Sequence, residues 1–271
     1  MGHSMLDKQG LKRIQISFQP WLAGFPLILL LPLLVSAQPA TEISTGESFI
    51  SIRINSPLEN DSLRIARFNN PITRVILKTG DEEIDLKLTP QPSYWNIALP
   101  PRKVAKGTEV LVETIGKPYL AGKPIVVQPD SEGIIKLHAH LGTAVGEMLR
   151  YEPQPHKNTI GYWVNEEDFV EWIFQIKKPG NYRVEILQGC GKGQGGSEVA
   201  IQLGEEDLKY IVKDTGHFQN FERRTVGTLK LESTEPQKLQ IKVLNKANKA
   251  VMDVRLIELI PVDLESESKE K

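Results

Sequence analysis

Cysteine is almost absent: among 271 residues only Cys190 carries a thiol. An internal disulfide is therefore excluded, and the core must be held by burial alone. An excess of charge is missing too, with 33 Lys and Arg against 34 Asp and Glu. That balance leaves no basic footprint for nucleic acid and no solvating acidic tail. The five histidines (His3, His138, His140, His156 and His217) show metal-ligand spacing only at His138-x-His140. On a strand such a pair shares one face, but without further ligands it falls short of a zinc site. No segment carries a helical stripe, and no run after Val35 is apolar enough to span a bilayer.

What is present begins with an export pattern. Lys8, Lys12 and Arg13 precede an apolar run from Trp21 to Val35, and Val35-Ser36-Ala37 puts small residues where a signal peptidase cuts. Residues 1–37 are expected to be a signal peptide and the mature chain to be periplasmic or extracellular, with no membrane span. Cleavage there takes the formal charge from −1 to about −3 by removing three basic residues and one acid.

From residue 45 to 117 short runs alternate with period two, as in Ser48–Ile54, Ile72–Leu77 and Thr108–Glu113, separated by turn chemistry such as Asn69-Asn70-Pro71 and Thr79-Gly80-Asp81. Residues 118–133 are rich in Pro and Gly and read as a linker. Strands resume from Ile134 to Pro261, eight of them at short intervals, which describes a sandwich or jelly roll. The expected fold is all-β: a small β-sandwich (45–117), then a second sandwich (134–262), then a charged, disordered tail (263–271).

Ordered motifs in the second half resemble a known module. They are Tyr151-Glu152-Pro153, Lys157-Asn158-Thr159-Ile160-Gly161-Tyr162-Trp163, Asp168 with Trp172, Pro179-Gly180-Asn181-Tyr182, Gly195-Gly196-Ser197, Asp214-Thr215-Gly216 with Phe218, and Val251-Met252-Asp253-Val254-Arg255. Together they resemble the C-terminal galactose-binding-like module of bacterial α-L-fucosidases and of some sulfatases. Residues 64–116 show a weaker resemblance to the β-sandwich that follows the fucosidase barrel. That barrel, with its nucleophile and acid/base, has no counterpart in this sequence, so the resemblance implies a non-catalytic tail carrying its own export signal.

Catalytic sets fail on spacing. Glu166-Glu167-Asp168 and Glu205-Glu206-Asp207 read as solvated turns and not as a glycosidase pair. Ser197, His217 and Asp214 lack the sharp turn that frames a nucleophilic serine. The glycine loop 189–197 lacks the Gly-Lys-Ser/Thr ending of a phosphate cradle. Cys190, between two glycines, reads as buried packing. Aromatic rings remain the best binding candidates, because a sugar stacks its C–H face on a ring and hydrogen-bonds at its rim. Trp172, Phe174 and Tyr182 are assigned to the core by alternation. The candidate glycan-binding set is Tyr162, Trp163 and Phe218 with Asn158, Glu152 and Asp214, and Trp163 serves equally well as core or platform. No cofactor is expected. Modules of the resembled kind often hold a structural Ca²⁺; Asp253 matches one ligand, while His140 stands where the first strand would need an acid. The expected partner is a glycan, a fucose-containing one by resemblance, with a separately encoded glycosidase as a possible companion. The alternatives are a structural or docking subunit of a fucosidase, or a truncated fucosidase fragment.

Overall fold

The computed structural model describes residues 41–55, 58, 61–68, 70–101, 104–119 and 125–262. The expected signal peptide and charged tail lie outside the described residues, as does part of the expected linker. The described regular elements are strands, apart from one 3-10 turn at Ala139–Leu141.

The first half builds two sheets. Five strands run in the order Thr41–Thr45, Phe49–Ile54, Thr108–Thr114, Ile72–Thr79 and Glu82–Asp85, and three in the order Ser62–Ala66, Tyr94–Ala98 and Leu88–Pro90. Alternation sets the faces: in Thr108–Thr114 every second residue is buried, Val110 and Val112 among them. Ile50, Ile52, Leu63, Trp95 and Ile97 complete this core.

The second half stacks two six-stranded sheets. One has the order Arg150–Glu152, Thr159–Gly161, Asp253–Val262, Gly180–Cys190 and His217–Leu231, with Ile135–His138 paired along Asp253–Val262. The other has the order Thr143–Val145, Phe169–Phe174, Gln237–Asn245, Glu198–Leu203 and Glu206–Ile211, with Val126–Val127 parallel to Phe169–Phe174. Trp172, Phe174 and Tyr182 are buried between the sheets, as alternation requires. Two three-residue strands, Arg150–Glu152 and Thr159–Gly161, carry no alternation to read and emerge only from the pairing of Tyr151 with Ile160 and of Ile160 with Val254.

The two halves touch around Arg67. Its Nη2 donates to the Gly142 carbonyl at 2.7 Å, and its guanidinium lies 5.3 Å from the centre of the Tyr151 ring. Burial pulls its pKa down to about 10, so it stays charged at neutral pH. Nearby, the His138 and His140 rings stack with centroids 5.3 Å apart, brought together by the 3-10 turn and not by one strand face. Burial, followed by the charges of His138 and Arg67, pulls His140 down to about 4.

A depressed folded pKa means that the unfolded chain takes the proton first as pH falls. The His140 contribution is therefore whole above about pH 6.5 and is lost between there and about pH 4. The cost is on the order of 2 kcal/mol, allowing for the partial exposure of the ring. Asp253 has the opposite sign, its carboxyl being raised, so it favours the folded state at low pH. The two are separated by comparison: His140→Gln is expected to flatten the acid limb of a melting-temperature profile between pH 6.5 and 4. An unchanged limb would show that His140 does not titrate across that window.

Candidate functional site

The site forms where the Arg150–Glu152, Thr159–Gly161, Asp253–Val262 and Gly180–Cys190 strands lie side by side. At Gly161 the chain leaves the strand, and Tyr162 takes φ 59°, a left-handed value that a bulky residue rarely adopts. The turn breaks the strand's alternation. Tyr162 is turned outward and is 45% exposed, while Trp163 is turned inward and is 1% exposed. Holding a tyrosine in that region costs on the order of 1 kcal/mol, and such strain collects at ligand sites.

The Tyr162 ring rests on Arg150, whose guanidinium carbon is 3.2 Å from the ring centre. Arg150 itself is buried. A cation beneath the ring fixes it in place and leaves the ring's other side available.

Trp163, read from the sequence as either core or platform, is corrected to core. Its indole Nε1 donates to the Asp168 carbonyl at 3.0 Å, and its own carbonyl accepts from Val251 N. Asp168 is corrected as well: it is no solvated turn carboxylate but is 1% exposed, accepting from the backbone N–H groups of Glu147, Met148 and Leu149 at 2.8–2.9 Å. Glu166, Glu167 and Glu205–Asp207 are exposed as expected.

The remaining predicted residues divide between site and scaffold. Asn158 is scaffold: its Oδ1 accepts from the Tyr151 hydroxyl at 2.8 Å in the hairpin between the two short strands. Asp214 is turn chemistry, with its carboxylate accepting from Gly193 N and Gly216 N. The Phe218 ring packs on Gly191, where a methyl group would overlap it. Ser197 is fully buried and accepts from Ala247 N, and His217 accepts from Gln219 N, so the imagined Ser–His–Asp set is spent on structure. Cys190 is buried, and burial pushes its thiol up to about 11, which suits packing and not attack.

Glu152 and Asp253 do come together, a pairing that sequence reasoning missed because the residues lie at opposite ends of the domain. Both carboxylates converge on Gly161, where an added methyl would stand 2.8 Å from Asp253 Oδ1 and 3.1 Å from Glu152 Oε2. Lys157 Nζ bonds Glu152 at 2.6 Å, and Gln219 Nε2 approaches Asp253 at 3.4 Å. Burial, then the Glu152 charge, raises the Asp253 carboxyl well above its usual range. Asp253, the candidate calcium ligand, thus faces Glu152 and Lys157. His140 lies instead against Tyr151. Among the described residues no group of three or more His, Cys, Asp or Glu is arranged to hold a metal ion.

These features define an all-β protein of stacked sheets with an exposed, strained tyrosine on a buried arginine at one sandwich rim. No family model matches the chain, and no curated protein matches it. Solved structures with similarity include the C-terminal CBM6 of LamC, a marine laminarinase from Zobellia galactanivorans (18% identity, TM-score 0.39, 47% of this chain and 98% of that one). Another is the alpha-L-fucosidase from Vibrio sp. strain EJY3 (13% identity, TM-score 0.34, 79% of this chain and 38% of that one). A third is a family 35 carbohydrate binding module from Clostridium thermocellum (9% identity, TM-score 0.38, 48% of this chain and 98% of that one). The chain thus spans less than half the length of the fucosidase.

Proposed function

We propose that the second sandwich binds a glycan on the outer face of Tyr162 and leaves it chemically unchanged. The observation that carries this reading is an exposed ring held at a strained φ over a buried guanidinium. A flat apolar face with polar groups at its edge is what a sugar ring needs. The reading extends to a fucose-containing glycan as the first to test, and to an exported protein acting beside a glycosidase. The support for both extensions is the sequence resemblance of residues 134–261 and the leader pattern of residues 1–37.

Binding without turnover follows from the environment of the only buried acid pair the site offers among the described residues. Glu152 is tied to Lys157, and both acids are about 4% exposed, so neither stands free across a glycosidic bond. A platform that stacks the sugar alike in ground and transition states gives no acceleration. Affinity electrophoresis through gels of fucose-containing polysaccharide is expected to retard the full chain, with the polysaccharide recovered intact and an aryl α-L-fucoside left unhydrolysed. Turnover that survives repurification and disappears in Asp253→Asn would refute the non-catalytic part; free migration in gels of every plant, algal and host glycan would refute the binding part.

A further inference from the structure

Arg150 points to the kind of glycan. Its side chain is buried, its Nε is cut off from water without a partner, and its guanidinium makes no hydrogen bond or ion pair among the described residues. Buried carboxylates of the same sandwich are committed elsewhere. Asp168 holds three backbone N–H groups, Glu152 pairs with Lys157, and Asp253 faces Glu152, Lys157, Gln219 and Arg255. Other arginines of the second sandwich are satisfied: Arg183 and Arg223 by Glu185, and Arg255 by the carbonyls of His156 and Lys157. A buried cation without a counter-ion is costly, and a guanidinium presents a rigid fork that matches an oxyanion with two parallel bonds.

We infer that Arg150 and Tyr162 together select an acidic sugar, the ring of Tyr162 taking the pyranose face and the guanidinium edge taking an oxyanion borne by the same or the next residue. This inference rests on the glycan-binding reading above and adds the charge of the ligand to it. A uronic acid carboxylate and a sulfate ester offer the same chemistry to the fork, and the experiment separates them.

The full chain is titrated by calorimetry with two matched pairs: oligogalacturonate against neutral galactan oligosaccharide, and sulfated fucan oligosaccharide against its desulfated form. Wild type is expected to bind one acidic member at least about tenfold more tightly than its neutral match, and the pair that shows the preference names the acid group. Arg150→Met, which keeps the apolar stem, is expected to abolish the preference. Arg150→Lys, which keeps the charge but not the fork, is expected to lose most of it, and serves as the reading if Arg150→Met does not fold. Equal binding of acidic and neutral members, lost in Tyr162→Ala, would overturn the selection by Arg150 while leaving the platform standing. A preference that persists in Arg150→Lys and Arg150→Met would overturn it as well. No binding of any of the four would overturn the selection of an acidic sugar, while the glycan-binding reading itself stands or falls by the gel assay.

Discussion

Trp163→Ala is expected to destabilise the second sandwich strongly and not merely to weaken a surface contact. The indole is 1% exposed, and its truncation removes a large apolar volume and strands the Asp168 carbonyl. Loss of a buried tryptophan costs about 3–5 kcal/mol, which corresponds to a fall of roughly 10 °C in melting temperature for a unit of this size. Differential scanning calorimetry of the two full chains measures it. A shift within about 1 °C would mean that the ring is not part of the core and that Tyr162 and Trp163 have exchanged roles.

Asp168→Ala is the second large effect. Three successive N–H groups, those of Glu147, Met148 and Leu149, lose a charged acceptor at once. Hydrogen bonds to a charged group are worth about 1.5–3 kcal/mol each and are not additive within one cluster, so a total of about 4 kcal/mol is expected. The same loop leads into Arg150, and Gly146 at φ 128° passes so close that a methyl group there would overlap the Asp168 carboxylate. Glycan binding should therefore fall in Asp168→Ala even at temperatures where the chain remains folded. Asp168→Asn keeps one acceptor oxygen and should be intermediate. Full stability and full binding in Asp168→Ala would show that the loop is positioned by something else.

The sequence made the sandwich legible where strands are long enough to show alternation. Phe169–Phe174 buries Val170, Trp172 and Phe174 and leaves the intervening residues partly exposed, and its reading required only period two. The same rule fails at Tyr162 and Trp163. Each of the short strands before them is three residues long, and the left-handed turn at Tyr162 resets which side faces the core, so adjacent aromatics cannot be sorted from the pattern. Asp168 read as a turn acid because it follows Glu166 and Glu167; its three backbone donors come from a loop some twenty residues earlier and leave no mark on the local sequence. Glu152 and Asp253 meet only because the Thr159–Gly161 strand lies beside the Asp253–Val262 strand and has a glycine at the crossing. Arg150, which directly precedes the Tyr151-Glu152-Pro153 motif, gains meaning from what fails to surround it.

The central claim is that the outer face of Tyr162 is the glycan platform. Its most direct measurement is the dissociation constant of the full chain for the polysaccharide that retards it, in wild type and in Tyr162→Ala, with a thermal melt of each. Loss of a stacking ring is worth at least about one factor of ten in affinity, so binding should weaken at least that much while the melting temperature moves by no more than about 2–4 °C, as befits an exposed residue. Equal affinity in the two folded proteins would contradict the account.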